Sequence, residues 1–330
     1  MFSTFLRFAA VALVAACTAA QGQSTSTGSA PGAWPSRPIR IQIAFAAGGL
    51  ADIIARAITD RVSQSIGQPF VLENKPGAGG NLAMESVARS APDGYTLLMI
   101  GPAAAINGTL YRKLAFDPVR DLVPISALAI GPYAVYVSAN LPVNNVAELI
   151  AHAKTRPGQL NYASVGIGSG GHLTGVLFTQ AAGIEMTHVP YKGIQAAAPD
   201  IVSGQVHLVF NAFGPLNAFV QNGKIKLIGV TSARRLAHYP DVPALSESGL
   251  PGFDAGGWYV LFAPAGTPRD VLIRLNAEVV KAYAQREVYE RVDKTGMQPA
   301  PQSLEDAAEF VRREAEKWGR AVRASGASAD

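Results

Sequence analysis

Two short glycine-rich segments stand where an apolar run gives way to a helical pattern. Residues 46–49 read Ala-Ala-Gly-Gly, and residues 166–171 read Gly-Ile-Gly-Ser-Gly-Gly. The first N–H groups of a helix have no partner within the helix and lie at the positive end of its dipole, so they bind anions. Both segments are therefore candidate anion sites. Asp52 falls in the first turn of the helix that follows the first segment, where it can cap and orient free N–H groups.

The second segment also spells G-x-G-x-x-G, the spacing of a dinucleotide-binding turn. That fold adds an acidic residue about 20 positions later to hold the ribose. Here the next strand ends at residues 190–192 (Pro-Tyr-Lys) without an acid, and Glu185 comes before it. We therefore expect no cofactor. Ser164, Ser169 and successive N–H groups of the loop are expected to form a second anion-binding helix start, facing the first across a cleft.

Residues suited to catalysis or metal binding form no recognisable constellation. No G-x-S-x-G elbow surrounds Ser169, because Ile167 stands two positions before it. A Ser164/His172/Asp200 triad can be written down, as in any chain of this length. The histidines lack the H-x-x-x-H spacing of metal ligands, so we expect no metal and no enzyme. Five are present: His152, His172, His188, His207 and His238.

Composition indicates a globular protein of two domains. The 330 residues correspond to two domains of about 150 residues each. Hydrophobic residues make up 48% and charged residues 16%, so the chain can bury a large core and is not disordered. The net charge is +4, and its 28 basic and 24 acidic residues are interspersed. We expect no nucleic-acid partner, and the positive balance favours small anions.

The N-terminus is typical of an export signal. Arg7 precedes an apolar run over residues 8–16, which is too short to span a bilayer. Residues 21–32 are rich in Ser, Thr and Gly and read as a flexible tether, so residues 1–33 are assigned to signal and tether. Residues 14–17 resemble a lipoprotein cleavage box that would leave Cys17 lipidated, and cleavage after Ala20 is the alternative. We expect a periplasmic protein.

Strand and helix patterns alternate along the rest of the chain, which predicts an α/β fold with parallel sheets covered on both faces. Capping boxes at Asn145 and Ser303 mark two helix starts, and two long helices are expected to close the chain. The predicted strands are 38–45, 70–72, 95–100, 160–164, 186–189, 206–210 and 225–231. The predicted helices include 50–66, 82–89, 146–155, 172–182, 194–203, 215–222 and 304–323.

Two such series indicate two lobes with a cleft between them. Lobe one is predicted at residues 34–133 together with 258–330, and lobe two at 134–257. Extended apolar segments at residues 126–137 and 257–263 are interpreted as crossovers between the lobes. Trp258 and Tyr259, in the returning crossover, are interpreted as core residues, and Arg56 as a solvated or packing cation.

Motifs along the mature chain resemble those of the Bug-type solute receptors of tripartite tricarboxylate transporters. They are residues 34–40, 45–52, 73–81, 92–98, 163–169, 188–193, 241–243 and 247–249. The resemblance implies a type II, clamshell periplasmic binding protein with two crossover strands, whose ligand is a small carboxylate. It implies that main-chain groups and water at residues 46–49 hold one carboxylate, and that residues 164–169 supply the contacts of the other lobe.

The candidate ligand-binding residues combine these two lines of reasoning. Asp200, at the family's acidic position, is expected to interact with helix-start groups or waters. Residues 101–105 are unusually apolar, His207 stands where an acid is common, and residues 211–213 depart from the family pattern, so an aliphatic or aromatic carboxylate is favoured. The full set is Phe45, Ala46, Ala47, Gly48, Gly49, Asp52, Pro102, Ala103, Ser164, Gly168, Ser169, His172, Tyr191, Asp200, Asn211 and Phe213.

The resemblance implies a monomeric receptor that passes its ligand to the permease subunits of the transporter. Two alternatives stay open from the sequence. A receptor for a membrane signalling partner would bind the same ligand and is indistinguishable by sequence. A periplasmic enzyme would need a general base with a suitable pKa, and no residue of the sequence is nominated for that role.

Overall fold

The computed structural model describes residues 34–236 and 238–329. The chain divides into a unit of residues 1–36 and a unit of residues 37–330, and the second contains both sheets of the fold. The predicted export signal, the tether and Cys17 lie outside the described residues. Within the described ranges, no helix combines the length and the hydropathy needed to cross a bilayer.

The first sheet contains six strands of the described chain. They are β1 (Ile39–Ile43), β2 (Phe70–Asn74), β3 (Thr96–Ile100), β4 (Leu122–Pro132), β10 (Gly256–Pro264) and β11 (Gln298–Pro299). Their spatial order is β11-β4-β10-β3-β1-β2. Strand β1 lies parallel to β2 and β3, whereas β10 lies antiparallel to β3 and β4.

The second sheet contains five strands of the described chain. They are β5 (Ala134–Ser138), β6 (Leu160–Ser164), β7 (Met186–Pro190), β8 (Leu208–Asn211) and β9 (Ile225–Val230). Their spatial order is β7-β6-β8-β5-β9. Strand β6 is parallel to β7 and β8, and β5 is antiparallel to β8 and β9.

The prediction of purely parallel sheets is wrong, because both sheets are mixed. The parallel neighbours β1/β2 and β6/β7 are joined by helices as expected, and the antiparallel pairs involve the strands that leave or enter a sheet. The chain passes from the first sheet to the second at Tyr133, and it returns between Val230 and Gly256. Parallel neighbours need a long crossover connection. A strand that arrives directly from the other sheet is not preceded by such a crossover connection, so it pairs antiparallel with its neighbours.

The described residues form ten α-helices, and three of them, not the predicted two, close the chain. The break comes at Gln285, an N-cap with extended backbone. Both predicted capping boxes are confirmed, since Asn145 and Ser303 each accept a backbone N–H of their helix. The helices are α1 (Leu50–Ile66), α2 (Asn81–Ala88), α3 (Ala103–Leu110), α4 (Val146–Lys154), α5 (Gly170–Ala182), α6 (Ile194–Ser203), α7 (Asn217–Gln221), α8 (Arg269–Tyr283), α9 (Arg286–Asp293) and α10 (Leu304–Ser325).

The last helix, α10, packs on α3 and β4 of the first sheet and also contacts α5 of the second. Its buried face contains Glu314, whose Oε2 atom accepts hydrogen bonds from the indole N–H groups of Trp258 and Trp318, each at 2.8 Å. Trp318 is fully buried. One carboxylate therefore satisfies two buried donors and fixes α10 against β10.

Thr231 ties together the two passages between the sheets. Its N–H donates to Tyr133 O at 2.9 Å, and Tyr133 N donates to its hydroxyl at 2.8 Å. The same hydroxyl donates to Ala255 O at 2.5 Å, and Ala255 N donates to Thr231 O at 2.9 Å. Thr231 is fully buried. Both connections thus share one hydrogen-bonded residue, and the two sheets meet around it.

Candidate functional site

Residues 45–49 form the exposed turn between β1 and α1. Gly48 has a φ of +74°, a conformation that residues with a β-carbon rarely adopt. Asn74, at the end of β2, donates through its side-chain amide to Phe45 O at 3.1 Å. The neighbouring strand therefore holds the turn in place and leaves its backbone facing outward.

Asp52 shapes this turn. Its carboxylate is 4% exposed and accepts from Gly48 N at 3.1 Å. Arg56 donates to both carboxylate oxygens, at 2.9 and 3.2 Å. These bonds, with that from Arg56 the largest influence, hold the pKa of Asp52 below its ordinary value. Asp52 is thus ionised, it orients one N–H group of the turn, and it engages the guanidinium of Arg56.

The first turn of α1 carries N–H groups without an acceptor. Its N-cap is Gly49, which has no side chain that could cap these N–H groups. The N–H groups of Leu50, Ala51 and Asp52 donate to no group within the described residues. Together with the positive end of the helix dipole, these donors suit an anion. The donors lie on the main chain, so the side chains here need not be polar.

The predicted residues Pro102 and Ala103 begin α3, beside this turn. Pro102 is the N-cap of α3 and is buried. Further along the helix, Asn107 is 1% exposed and donates to Gly79 O at 3.0 Å and to Asn81 Oδ1 at 2.7 Å. These bonds hold the loop before α2 against α3.

The loop before α5 is shaped by its own side chains. The Ser169 hydroxyl accepts from His172 N at 3.3 Å and caps α5. The Nδ1 atom of His172 accepts from Gly168 N at 3.0 Å. A backbone N–H can only donate, so the neutral His172 ring carries its proton on Nε2. Ser169 and His172 are predicted to bind ligand, and in the structure their hydrogen bonds also fix the loop.

Ser164 completes this arrangement through a second histidine. Its hydroxyl lies 2.6 Å from His188 Nε2 and also bonds to both N and O of Gly166. The rings of His172 and His188 stack with centroids 3.9 Å apart. Burial lowers the pKa of each ring to about 4, and for His188 the charge on His172 contributes a smaller part of this shift. Both rings are therefore neutral near pH 7.

Two donors remain at the start of α5. The N–H groups of Gly170 and Gly171 donate to no acceptor in the part of the chain that the structure describes. The second segment thus resembles the first, with uncapped main-chain donors at the beginning of a long helix. Sequence reasoning located this helix start and assigned both its serines and its N–H groups to the ligand.

The second loop packs on the first sheet's helix α3. Gly168 has a φ of +77°, and a β-carbon built there would lie 2.1 Å from Leu110 Cδ2. Only glycine allows this approach. The two glycine-rich segments, one from each sheet, therefore flank a common region next to α3.

Two hydroxyls in this region were missed by sequence reasoning. The Tyr133 hydroxyl lies so close to Gly170, at the start of α5, that a β-carbon there would be 2.0 Å from it. The Tyr259 ring packs edge-on against Phe45 with centroids 5.8 Å apart. Neither hydroxyl has a hydrogen-bond partner among residues 34–236 and 238–329. Tyr133 was not singled out, and Tyr259 was interpreted as core, because neither belongs to a polar motif.

The remaining predicted residues have other partners. The Tyr191 hydroxyl donates to Asp200 Oδ2 at 2.6 Å; burial, and then this bond, raise the pKa of Tyr191 to about 12. Asp200 was expected to interact with helix-start groups or waters, but it lies near the end of α6 and holds Tyr191. The Asn211 amide donates to Ala212 O at 3.2 Å. Phe213 is 3% exposed and stacks on Tyr239, so it packs the core.

The site does not assemble a catalytic triad. Ser164 bonds to His188 and Asp200 bonds to Tyr191, so the three members of the triad that the sequence allows, Ser164, His172 and Asp200, do not come together. No group of three or more His, Cys, Asp or Glu side chains that could hold a metal occurs within the described ranges. What the region offers is hydrogen-bond donors and apolar surface.

The sequence matches the TctC family, described as "Tripartite tricarboxylate transporter family receptor", over residues 54–327. The chain belongs to this family. It is 35% identical to the "UPF0065 protein in tcbD-tcbE intergenic region" of Pseudomonas sp. strain P51, over 88% of this chain and 87% of that protein. It is 31% identical to "Protein BugT" of Bordetella pertussis, over 89% and 91%. The resemblance stated from the motifs is thereby confirmed.

Solved structures confirm the two-lobe α/β fold of a periplasmic binding protein. One is R. palustris Rpa4515 with adipate (TM-score 0.82, 33% identity, 89% of this chain and 99% of that one). Another is MatC from Rhodopseudomonas palustris with bound malate (0.77, 32%, 88% and 100%). A third is the periplasmic binding protein BugD (0.79, 30%, 90% and 100%). These TctC receptors are binding proteins and not enzymes, and so is this chain.

Proposed function

We propose that this TctC receptor is a periplasmic protein that binds a small carboxylate between its two lobes and delivers it to the permease of a tripartite tricarboxylate transporter. The observation that carries the proposal is the pair of helix starts at which main-chain N–H groups have no acceptor. Leu50, Ala51 and Asp52 in α1 and Gly170 and Gly171 in α5 offer main-chain N–H groups without acceptors. One set comes from each sheet.

A carboxylate fits these donors better than a cation or a neutral sugar. All five N–H groups are hydrogen-bond donors, and the positive ends of both helix dipoles favour a negatively charged ligand. Arg56 is already paired with Asp52, so main-chain groups are the available anchor. Pro102, Ala103 and Phe45 add apolar surface, which suits an aliphatic or aromatic chain. The adipate and malate complexes of the relatives support the same ligand class.

Closure of the two lobes would complete the site. We assign residues 34–133 and 258–330 to lobe one and residues 134–257 to lobe two, with Thr231 at the hinge. A carboxylate that binds α1 first gains the donors of α5 only when the lobes approach. The ligand then shifts the population towards the closed form by its preference for that form. The closed receptor would dock on the permease.

A proline at the first position of α1 tests the role of the main chain. Leu50→Pro removes one N–H donor at the helix position that proline prefers. The preceding Gly49 has φ −77° and ψ 173°, which a following proline permits. Leu304→Pro is the matched control, because it makes the same change after the extended N-cap Ser303 of α10.

Calorimetric titration with a panel of mono-, di- and tricarboxylates gives the result. We expect the wild type to bind at least one of these carboxylates. A ligand at 100 times its Kd should also raise the free energy of unfolding by about 2.7 kcal/mol. Leu50→Pro should weaken binding by at least about tenfold, as for a lost hydrogen bond to a charged group, and Leu304→Pro should not. Equal affinity of the two variants would contradict the main-chain anchor.

A further inference from the structure

Two tyrosines add a second polar element to the carboxylate site. We propose that the hydroxyls of Tyr133 and Tyr259 bind the second carboxylate of a linear aliphatic dicarboxylate, and that they select diacids over monoacids. The inference rests on the proposed function, in which the main-chain donors of α1 and α5 hold the first carboxylate.

Tyr133 is rigidly placed at the passage between β4 and β5. Its backbone N and O both bond to Thr231. A β-carbon at Gly170 would lie 2.0 Å from its hydroxyl oxygen, and one at Gly257 would lie 2.9 Å from it. The hydroxyl is therefore seated between the start of α5 and the returning strand β10, where two glycines leave room for it.

Tyr259 approaches the same region from the first sheet. It lies on β10, and its ring packs edge-on against Phe45 of the first glycine-rich turn. A β-carbon at Gly101, just before α3, would lie 3.7 Å from its ring. Tyr133 thus comes from the first chain passage and Tyr259 from the strand that follows the second, and each contacts a different glycine-rich segment. The Tyr133 hydroxyl lies beside Gly257 of β10, and Tyr259 is two residues further along the same strand, so both are on one face of β10.

The lack of protein partners sets these hydroxyls apart. Partly buried phenol groups normally find a hydrogen-bond partner, because an unpaired polar group costs free energy. Five other tyrosine hydroxyls of the described chain have such partners, and among the half-buried tyrosines Tyr239 is an exception. The five are Tyr111 with Ala78 O, Tyr136 with Asn217, Tyr162 with His172 O, Tyr191 with Asp200 and Tyr283 with Leu128 O.

The chemistry of two phenols favours a carboxylate as their ligand. Burial raises the pKa of both tyrosines, so they are neutral donors at physiological pH. A carboxylate offers two oxygens with about four acceptor positions, which two donors from different strands can share. Hydrogen bonds to an ionised acceptor are about twice as strong as those between neutral groups. A methyl group in that position would leave both hydroxyls unpaired.

Phenylalanine substitutions separate this role from packing, because they keep the ring and delete one oxygen. We would titrate the wild type, Tyr133→Phe, Tyr259→Phe and the double variant with diacids of four to eight carbons and with monoacids of equal length. Tyr136→Phe is the control, since its hydroxyl bonds to Asn217 beside the second sheet. Circular dichroism and denaturant midpoints check that each variant is folded.

We expect each single substitution to raise the diacid Kd by about tenfold, equivalent to ~1.4 kcal/mol, and to change the monoacid Kd by less than twofold. Tyr136→Phe should change neither. Diacid affinity that survives in the folded double variant would overturn the inference and leave the proposed function intact. Equal losses of affinity for diacids and for monoacids would also overturn the inference and leave the proposed function intact. A wild type that binds no carboxylate would overturn both.

Discussion

Acidification should destabilise this protein through the stacked pair His172 and His188. The His172 ring is 6% exposed, and its Nδ1 atom accepts from Gly168 N, so protonation there breaks a hydrogen bond. Burial lowers the pKa of each ring from 6.5 to about 4. Between these values the unfolded chain binds protons that the folded protein does not. The free energy of unfolding must therefore fall as the pH falls from about 7 towards 4.

The pKa of His172 sets the size of the effect. For one group whose pKa drops from 6.5 to about 4, the free energy of unfolding at pH 4.5 lies about 2 kcal/mol below its value at pH 7. His188 adds a smaller amount, because it is partly exposed. For the two histidines together, we expect the free energy of unfolding to fall by roughly 2–4 kcal/mol between pH 7 and pH 4.5.

The assay is guanidinium unfolding, followed by fluorescence of the three tryptophans, at intervals from pH 4.5 to pH 8. The comparison protein is the double variant His172→Asn/His188→Asn, which cannot titrate at these positions and keeps an acceptor near Gly168 N. Both proteins contain the same carboxylates, so their difference isolates the two rings. The wild type should lose 2–4 kcal/mol more than the variant between pH 7 and 4.5. A difference independent of pH would falsify the assignment of two buried neutral histidines.

Two further substitutions test buried hydrogen bonds. Thr231→Val keeps the shape of the side chain but leaves Tyr133 N and Ala255 O without the hydroxyl. Thr231→Val should lower the free energy of unfolding by about 1–3 kcal/mol in denaturant titrations. Thr231→Ser keeps the hydroxyl and should lower it much less. Glu314→Ala leaves two buried indole N–H groups unpaired and should cost about 2–5 kcal/mol. If Glu314→Gln lowers the free energy of unfolding as much as Glu314→Ala does, the role of Glu314 as shared acceptor of the two indole N–H groups is contradicted.

Local sequence patterns predicted much of the fold, because helix starts and stops depend on neighbouring residues. The capping boxes at Asn145 and Ser303 form as expected. The strand directions around the two passages could not be predicted from periodicity, since alternation shows that a strand exists but not which strand it pairs with.

The same limit applies to the site. Residues 46–49 and 166–171 were located because glycine and the following helical pattern are adjacent in sequence. The hydrogen bond between Ser164 and His188 spans 24 residues, and that between Tyr191 and Asp200 spans nine. Nothing in the local sequence of either residue indicates its partner. The role of these polar side chains in holding the second loop could therefore not be predicted from the sequence.

That role has a consequence for specificity. If Ser164, Ser169 and His172 shape the loop, the anion anchor consists of backbone N–H groups, which are the same for every amino acid. Substitution of surrounding side chains can then change the ligand without disturbing the anchor. Discrimination must come from side chains that reach the same region from outside the two turns. Tyr133 and Tyr259 meet that condition, since each contacts a glycine-rich segment and has no partner in the described chain.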